Sequence, residues 1–238
     1  HLDRLERSLR ELDMDWPCSR RSLSLIANQV LRQNFIHRGF LYVQVSRGVA
    51  PRNHAFPACA APTLVISARP AGPTPDPLLK SGVNVISLGD NRWKRPDIKS
   101  VSLLPNVLAK QKARDVGAYE AWLVDNDGYI TEGTSSNAWM VSKAGEILTR
   151  PLGRNILAGL TRSALLEAAA GNGVSVMERA FTVSDVKVAA EAFLTSTTNF
   201  VLPVIAIDDT PIGNGEPGPV TAKLIAYYQD HLAVSRSL

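Results

Sequence analysis

The sequence predicts an α+β chain in which a smaller and a larger segment are joined by a proline-rich break. Three observations carry that prediction. Helical and strand patterns are mixed without regular strand–helix–strand alternation, which argues for a largely antiparallel or mixed sheet. The stretch 69–77 holds four prolines and a glycine in nine residues. The part after it is denser in short strand patterns separated by turns than the part before it.

Residues 1–14 place Leu2, Leu5, Leu9 and Leu12 at helical spacing and predict a short amphipathic helix. A second helix is expected over 22–34, where Leu23, Leu25, Ile26, Val30 and Leu31 are apolar. Residues 39–46 alternate as a strand through Leu41, Val43 and Val45, and 63–67 read as another. A long loop between these strands, 47–57, carries Arg47, Arg52 and His54. No regular element is expected within 69–77, which reads as the linker between a domain at 1–68 and one at 78–238. Beyond it, strands are expected at 83–87, 119–124, 128–131, 138–141, 147–149, 193–196 and 201–207. Asn126-Asp127-Gly128 is a strong hairpin turn. Helices are expected at 103–116, 161–170, 183–190 and 220–232, with Ser184 as the N-cap of the third.

At 238 residues the chain can bury one sizeable core or two small ones. Its 45% hydrophobic and 20% charged residues are those of a soluble globular protein. The net charge of +4 comes from basic residues scattered in twos and threes, which reads as solvated faces rather than a nucleic-acid patch. Cys18 and Cys59 lie far apart with neither metal nor redox spacing, so free thiols in a reducing cytosol are expected. His1, His37, His54 and His231 give no ligand cluster, and no metal is expected. No apolar run approaches a membrane span, and no signal peptide precedes the first segment. The chain opens at His1 inside a helical pattern, and its natural beginning is expected to be missing.

Four polar stretches stand out as candidate chemistry. Lys99 in Arg95-Pro96-Asp97-Ile98-Lys99-Ser100 is an amine that could form an imine if partial burial and nearby cations (Arg92, Lys94, Arg95) disfavoured its ammonium form. Glu132, between a strand pattern and Gly133-Thr134-Ser135-Ser136, is either an exposed turn carboxylate or an anion for a ring nitrogen. Gly159-Leu160-Thr161 opens a helical pattern, where free N–H groups and the helix dipole suit a phosphate, or where Thr161 simply caps the helix. Thr195-Ser196-Thr197-Thr198 could add hydroxyl and N–H donors or be a polar loop. Together these are the parts needed to hold pyridoxal phosphate.

With Tyr42-Val43-Gln44-Val45-Ser46-Arg47-Gly48, Pro51 to Pro57, Ala109-Lys110-Gln111, Thr131 to Asn137 and Gly159 to Arg162 in order and at compatible spacing, the sequence resembles the fold-type IV pyridoxal-phosphate transaminases of class IV. Within them it is most similar to the D-amino acid aminotransferases. The resemblance implies a small α/β domain, here truncated, and a larger mixed-sheet, pseudo-barrel domain with helices, assembled as a homodimer. It implies that Lys99 bonds the cofactor aldehyde and shuttles the proton, and that Glu132 pairs with the pyridine nitrogen. Leu160, Thr161, Ser196, Thr197 and Arg4 would hold the phosphate, and Leu157 would pack on the ring. Arg52 and His54 match the pair that traps the substrate α-carboxylate, in this family reaching over from the partner subunit. That Arg-x-His loop separates the D-amino acid enzymes from their branched-chain relatives. The strands, the Gly-Asp-Gly turn and the carboxylate-binding tyrosine that precede the His-x-Asp-Arg-Leu segment in the family are not in this sequence.

The expected activity is therefore D-amino acid:2-oxo acid transamination by a ping-pong cycle, in the cytoplasm. The same fold also carries branched-chain L-amino acid aminotransferases and aminodeoxychorismate lyases, and an inactive cofactor-binding fragment is the non-enzyme alternative.

Overall fold

Two helices and a hairpin make up the first of two units. The computed structural model describes residues 1–72 and 76–236 and divides the chain into His1–Thr74 and Pro75–Leu238. In the first unit α1 (Leu2–Glu11) and α2 (Arg20–Gln33) are tied by Arg20, which pairs with Asp3 and, at 3.3 Å, with Glu6. Ser19 caps α2 by accepting from the Ser22 N–H at 3.1 Å. Strands β1 (Gly39–Ser46) and β2 (Thr63–Pro70) pair antiparallel over their whole length, from Gly39 opposite Pro70 to Ser46 opposite Thr63.

The expected linker 69–77 is shorter than its prolines suggest. Strand β2 runs through Arg69 and Pro70, since a proline at the end of a strand with one neighbour forfeits little ladder bonding. Helix α3 (Asp76–Ser81) begins within the same stretch, because Pro77 in a first turn loses no intrahelical hydrogen bond. Pro73, Thr74 and Pro75 lie outside the described residues.

The second unit continues as β3 (Val83–Gly89), α4 (Leu104–Asp115), β4 (Glu120–Val124), β5 (Ile130–Gly133), β6 (Asn137–Val141) and β7 (Ile147–Thr149). It ends with α5 (Leu160–Gly171), β8 (Val176–Glu178), α6 (Val183–Lys187), β9 (Glu191–Ser196), β10 (Phe200–Ile207), β11 (Thr210–Pro211) and α7 (Pro219–Arg236). Among the described residues, nine strands of this unit form one sheet in the order β5-β4-β3-β10-β9-β6-β7-β8, with β11 on β10. The pairs β3–β4, β3–β10 and β7–β8 are parallel and the others antiparallel, so the sheet is mixed, as expected. Its two ends meet: the Ile130 N–H donates to the Phe181 carbonyl at 2.9 Å, and Tyr129 bridges Thr182. A sheet whose first end strand meets the segment just after its last one is curled, in keeping with the pseudo-barrel expected of the larger domain.

Both faces of the sheet are buried, so its strands carry near-continuous apolar runs. Alternation along β6 sends Ala138 and Met140 into a core with Trp122, Phe181, Leu194, Leu202 and Ile207. Trp139 and Val141 face a second core with Phe193, Leu165 of α5 and Leu224 of α7. Trp139 stacks on Phe193, its register partner, at 5.3 Å. Small residues (Ala109, Ala113, Ala118 and Ala121) let α4 lie close on β4.

The hairpin at Asn126-Asp127-Gly128 forms, with Gly128 at φ +85° and its N–H on the Asp125 carbonyl at 3.1 Å. The third helix is shorter than 183–190, and its N-cap is Thr182 rather than Ser184. Thr182 accepts from the Asp185 N–H while Asp185 accepts from the Thr182 N–H, a reciprocal box that Ser184 could not complete. Helix α3 and strands β8 and β11 were not expected, being too short for a periodic signal.

Candidate active site

Glu132 lies near the end of β5, with only 5% of its surface exposed. It is therefore not the exposed turn carboxylate that its local sequence also allowed. One of its oxygens, Oε1, accepts from Arg92 Nη1. The other, Oε2, accepts from Asn137 Nδ2 and from the Leu157 N–H, each at 3.0 Å. Burial pushes the Glu132 carboxyl up to about 7, against the opposing pull of Arg92 and the Leu157 N–H, and nearby Asp90 pushes it further up.

Arg92 is itself shared. Its Nε donates to Asp90 Oδ1 at 2.9 Å, and its Nη2 donates to Asp90 Oδ2 at 2.7 Å and to the Asn155 carbonyl at 3.0 Å. Thr131 Oγ1 donates to Asp90 Oδ2 at 2.8 Å. Burial raises Asp90, but hydrogen bonds and charge from Arg92, with help from Thr131, carry it below the usual carboxylate value.

Asn137 connects this network to the start of α5. Its Nδ2 also donates to the Leu157 carbonyl at 3.0 Å, and its Oδ1 lies where a side chain on Gly159 would have to go. Only glycine fits there, and Gly159 is the N-cap of α5 with no side-chain cap bond. The N–H groups of the first helical turn, beginning at Leu160 and Thr161, thus have no intrahelical acceptor. Thr161 does not cap the helix; its hydroxyl bonds Tyr228 of α7 instead.

On its other side Asn137 is the register partner of Thr195 in β9. That pairing brings in the turn Ser196-Thr197-Thr198-Asn199, in which Ser196 Oγ accepts from the Asn199 N–H at 3.2 Å and Thr197 and Thr198 are exposed. Glu132, Leu157 and Gly159 thus meet at one asparagine, and Leu160, Thr161, Ser196 and Thr197 follow its neighbours Gly159 and Thr195 in the chain.

Lys99 follows a turn closed by the Ile98 N–H on the Arg95 carbonyl at 3.1 Å. Asp97 and Ile98 are buried, whereas Lys99 is exposed, so the partial burial expected of it is not met. The arginines expected to press on its charge have carboxylate partners: Arg92 as above, and Arg95 on Asp97 through Nε (3.0 Å) and Nη2 (3.1 Å). In the first unit Arg4 is half-buried on α1, and burial lowers its guanidinium. Arg52 and His54 are exposed on the 47–62 connection. There Asn53 accepts from the Ala55 N–H at 3.3 Å, and Arg47 lies over the Phe56 ring at 3.6 Å.

Sequence reasoning missed Asp90, Asn137, Asn155 and Gly159 as site residues, and read Arg92 only as a charge near Lys99. Their one signal was position: Asn137 closes the Thr-Glu-Gly-Thr-Ser-Ser-Asn run, and Gly159 precedes an uncapped helix start.

The family model for amino-transferase class IV matches residues 1–207. The chain belongs to the class IV aminotransferases. Its relatives include the D-alanine aminotransferase of Bacillus licheniformis, 40% identical over 98% of this chain and 81% of the relative. Among solved structures, the branched-chain amino acid aminotransferase from Escherichia coli has a TM-score of 0.84 and 25% identity, covering 94% of this chain and 75% of that one. A putative 4-amino-4-deoxychorismate lyase from Legionella pneumophila shares the fold at TM-score 0.84 and 23% identity, covering 97% and 84%. Class IV aminotransferases depend on pyridoxal 5′-phosphate.

Proposed function

We propose that the chain catalyses pyridoxal-phosphate-dependent transamination between a D-amino acid and a 2-oxo acid, such as D-alanine with 2-oxoglutarate. The observation that carries the cofactor assignment is the placement of Glu132 around Asn137. A buried carboxylate short of positive charge lies one asparagine away from a helix start whose N–H groups are uncapped. That donor set fits a ring with a protonatable nitrogen at one end and a phosphate at the other.

In this reading Glu132 holds the ring nitrogen protonated, and the N–H groups at Leu160 and Thr161, with Ser196 and Thr197, hold the phosphate. Leu157, half-buried beside Glu132, packs on the ring. When bound, the cofactor withdraws electrons from the carbon that loses its proton. Lys99 would anchor the aldehyde carbon and carry the proton away from the substrate α-carbon. Arg52 takes the substrate carboxylate through two parallel N–H donors and His54 adds a third.

D-specificity is supported by the Arg52-x-His54 spacing and by the D-alanine aminotransferases among the relatives. The branched-chain and lyase neighbours define the competing outcomes. The test is turnover of D-alanine with 2-oxoglutarate by the parent chain and by Arg52→Ala. Loss of D-alanine turnover in the variant supports the reading, and equal turnover of L-leucine and D-alanine by the parent overturns the stereochemical part.

We also propose a homodimer. Leu104, Val107 and Leu108 of α4 recur at helical spacing and are 68%, 58% and 56% exposed, an apolar stripe suited to a second copy. Leu104→Glu with Leu108→Glu should convert a dimer to monomer in size-exclusion chromatography. The cytosol is the proposed compartment, since Cys18 and Cys59 are both unbridged. Among the described residues no helix is long and apolar enough to cross a membrane.

A further inference from the structure

We infer that Arg92 is a positioning residue that keeps Glu132 ionised, and that Asp90 is set against it as a counterweight. This rests on the cofactor reading above, in which Glu132 faces the ring nitrogen; Arg92 needs no contact with the cofactor itself.

The Arg92 side chain is 3% exposed, and its guanidinium spans both acids, with Nη1 on Glu132 and with Nε and Nη2 on Asp90. Further bonds from Nη2 to the Asn155 carbonyl (3.0 Å) and to Thr131 Oγ1 (3.3 Å) fix its plane. Asp90 is held in turn by Thr131 Oγ1 and by the Arg92 N–H at 3.1 Å. The charged groups facing Glu132 are thus Arg92 and Asp90, the latter on the turn after β3, while Asn137 of β6 and the Leu157 N–H are neutral donors.

Counting charges, two carboxylates share one guanidinium and leave one buried negative charge. Buried unpaired charge is costly and is relieved either by taking up a proton or by a cationic partner. Burial and Asp90 draw a proton onto Glu132, and Arg92 opposes them. The cluster is therefore balanced between a neutral and an ionised Glu132, and a protonated ring nitrogen supplies the missing positive charge. A bare Glu132–arginine pair would already be neutral and would offer such a ring no net attraction. With Asp90 present, the site selects a cationic ring.

The test reads the Glu132 carboxyl itself in the cofactor-free 238-residue chain, by infrared difference between each protein and its own Glu132→Gln counterpart. In Arg92→Gln the ratio of protonated to ionised Glu132 at pH 8 should rise at least about tenfold, an upward shift of one pH unit or more in the midpoint. In Asp90→Asn, which keeps the side-chain shape and the guanidinium, the midpoint should fall. Opposite signs are what an electrostatic balance requires and what loss of structure would not produce. An unchanged midpoint in Arg92→Gln overturns the inference. If Arg92→Gln does not fold, a midpoint in Asp90→Asn that stays or rises overturns it instead. Failure of the cofactor reading shows separately, as parent protein that takes up no pyridoxal phosphate and leaves the infrared result standing.

Discussion

Two buried glutamates flank the same β5–β6 turn, and their surroundings differ in kind. Glu120, fully buried on β4, accepts from Thr134 Oγ1 (2.9 Å), the Ser135 N–H (3.2 Å), Ser135 Oγ (3.4 Å) and Ser136 Oγ. Its acceptors are met by neutral donors of one turn, whose shape it fixes. Glu132, twelve residues on, has fewer neutral donors and half a claim on Arg92, and burial raises its affinity for a proton against the pull of that arginine. A buried acid with its hydrogen bonds complete holds a loop, while one left short of positive charge is where a charged ligand belongs.

The most drastic way to sharpen that contrast is to leave both acids alone and remove the amine. Lys99→Ala should lose transaminase turnover by roughly 10²–10⁴-fold or more. Abolition of the cofactor's visible absorbance band in the variant checks it.

Next in size is the pH dependence of Glu132. Its folded value, about 7, lies above its unfolded one, so the folded state binds the extra proton and is favoured below about pH 4.5. That stabilisation is lost as pH rises toward 7 and is absent above it. Glu132→Gln should flatten this slope, removing ~3 kcal/mol of difference between pH 4.5 and 8 in chemical denaturation of cofactor-free protein. A parallel profile in parent and variant would mean that Glu132 is an ordinary ionised carboxylate.

Glu120→Gln should cost about 2 kcal/mol at pH 8 in the same assay, since the amide reverses one hydrogen-bond polarity among hydroxyls and an N–H. An unchanged stability there would erase the structural role assigned to Glu120. The smallest effect is expected for Ser135→Ala, which removes only the longest of the Glu120 contacts, about 0.5 kcal/mol by thermal unfolding.

Much of the fold was legible because it follows from periodicity. Leu41, Val43 and Val45 announce β1, and the Asn-Asp-Gly turn announces the β4–β5 hairpin. Elements set by few residues were not legible. Val176–Glu178 is too short to show a pattern and becomes a strand by pairing with β7. At Pro70 and Pro77 the rule that proline breaks structure was overridden by position, at a strand end and in a first helical turn.

For the site, the residue types were readable in order along the chain: an amine, an acid, an uncapped helix start and a hydroxyl-rich turn. Their meeting was not. Glu132, Gly159 and Thr195 are brought to Asn137 by strand register and by a side-chain hydrogen bond, long-range contacts with no local signature. The partners of Arg92 were likewise hidden, since a guanidinium seven residues before Lys99 could face any direction until the sheet curled.

The order of residues alone decided the family, the mixed-sheet class and the identities of the groups available for chemistry, because motifs and periodicity are properties of the chain. Only folding decided that Glu132 is buried beside a shared arginine and that Lys99 is exposed. Burial and charge balance depend on what packs around a group, and that is set by contacts between residues far apart in the chain.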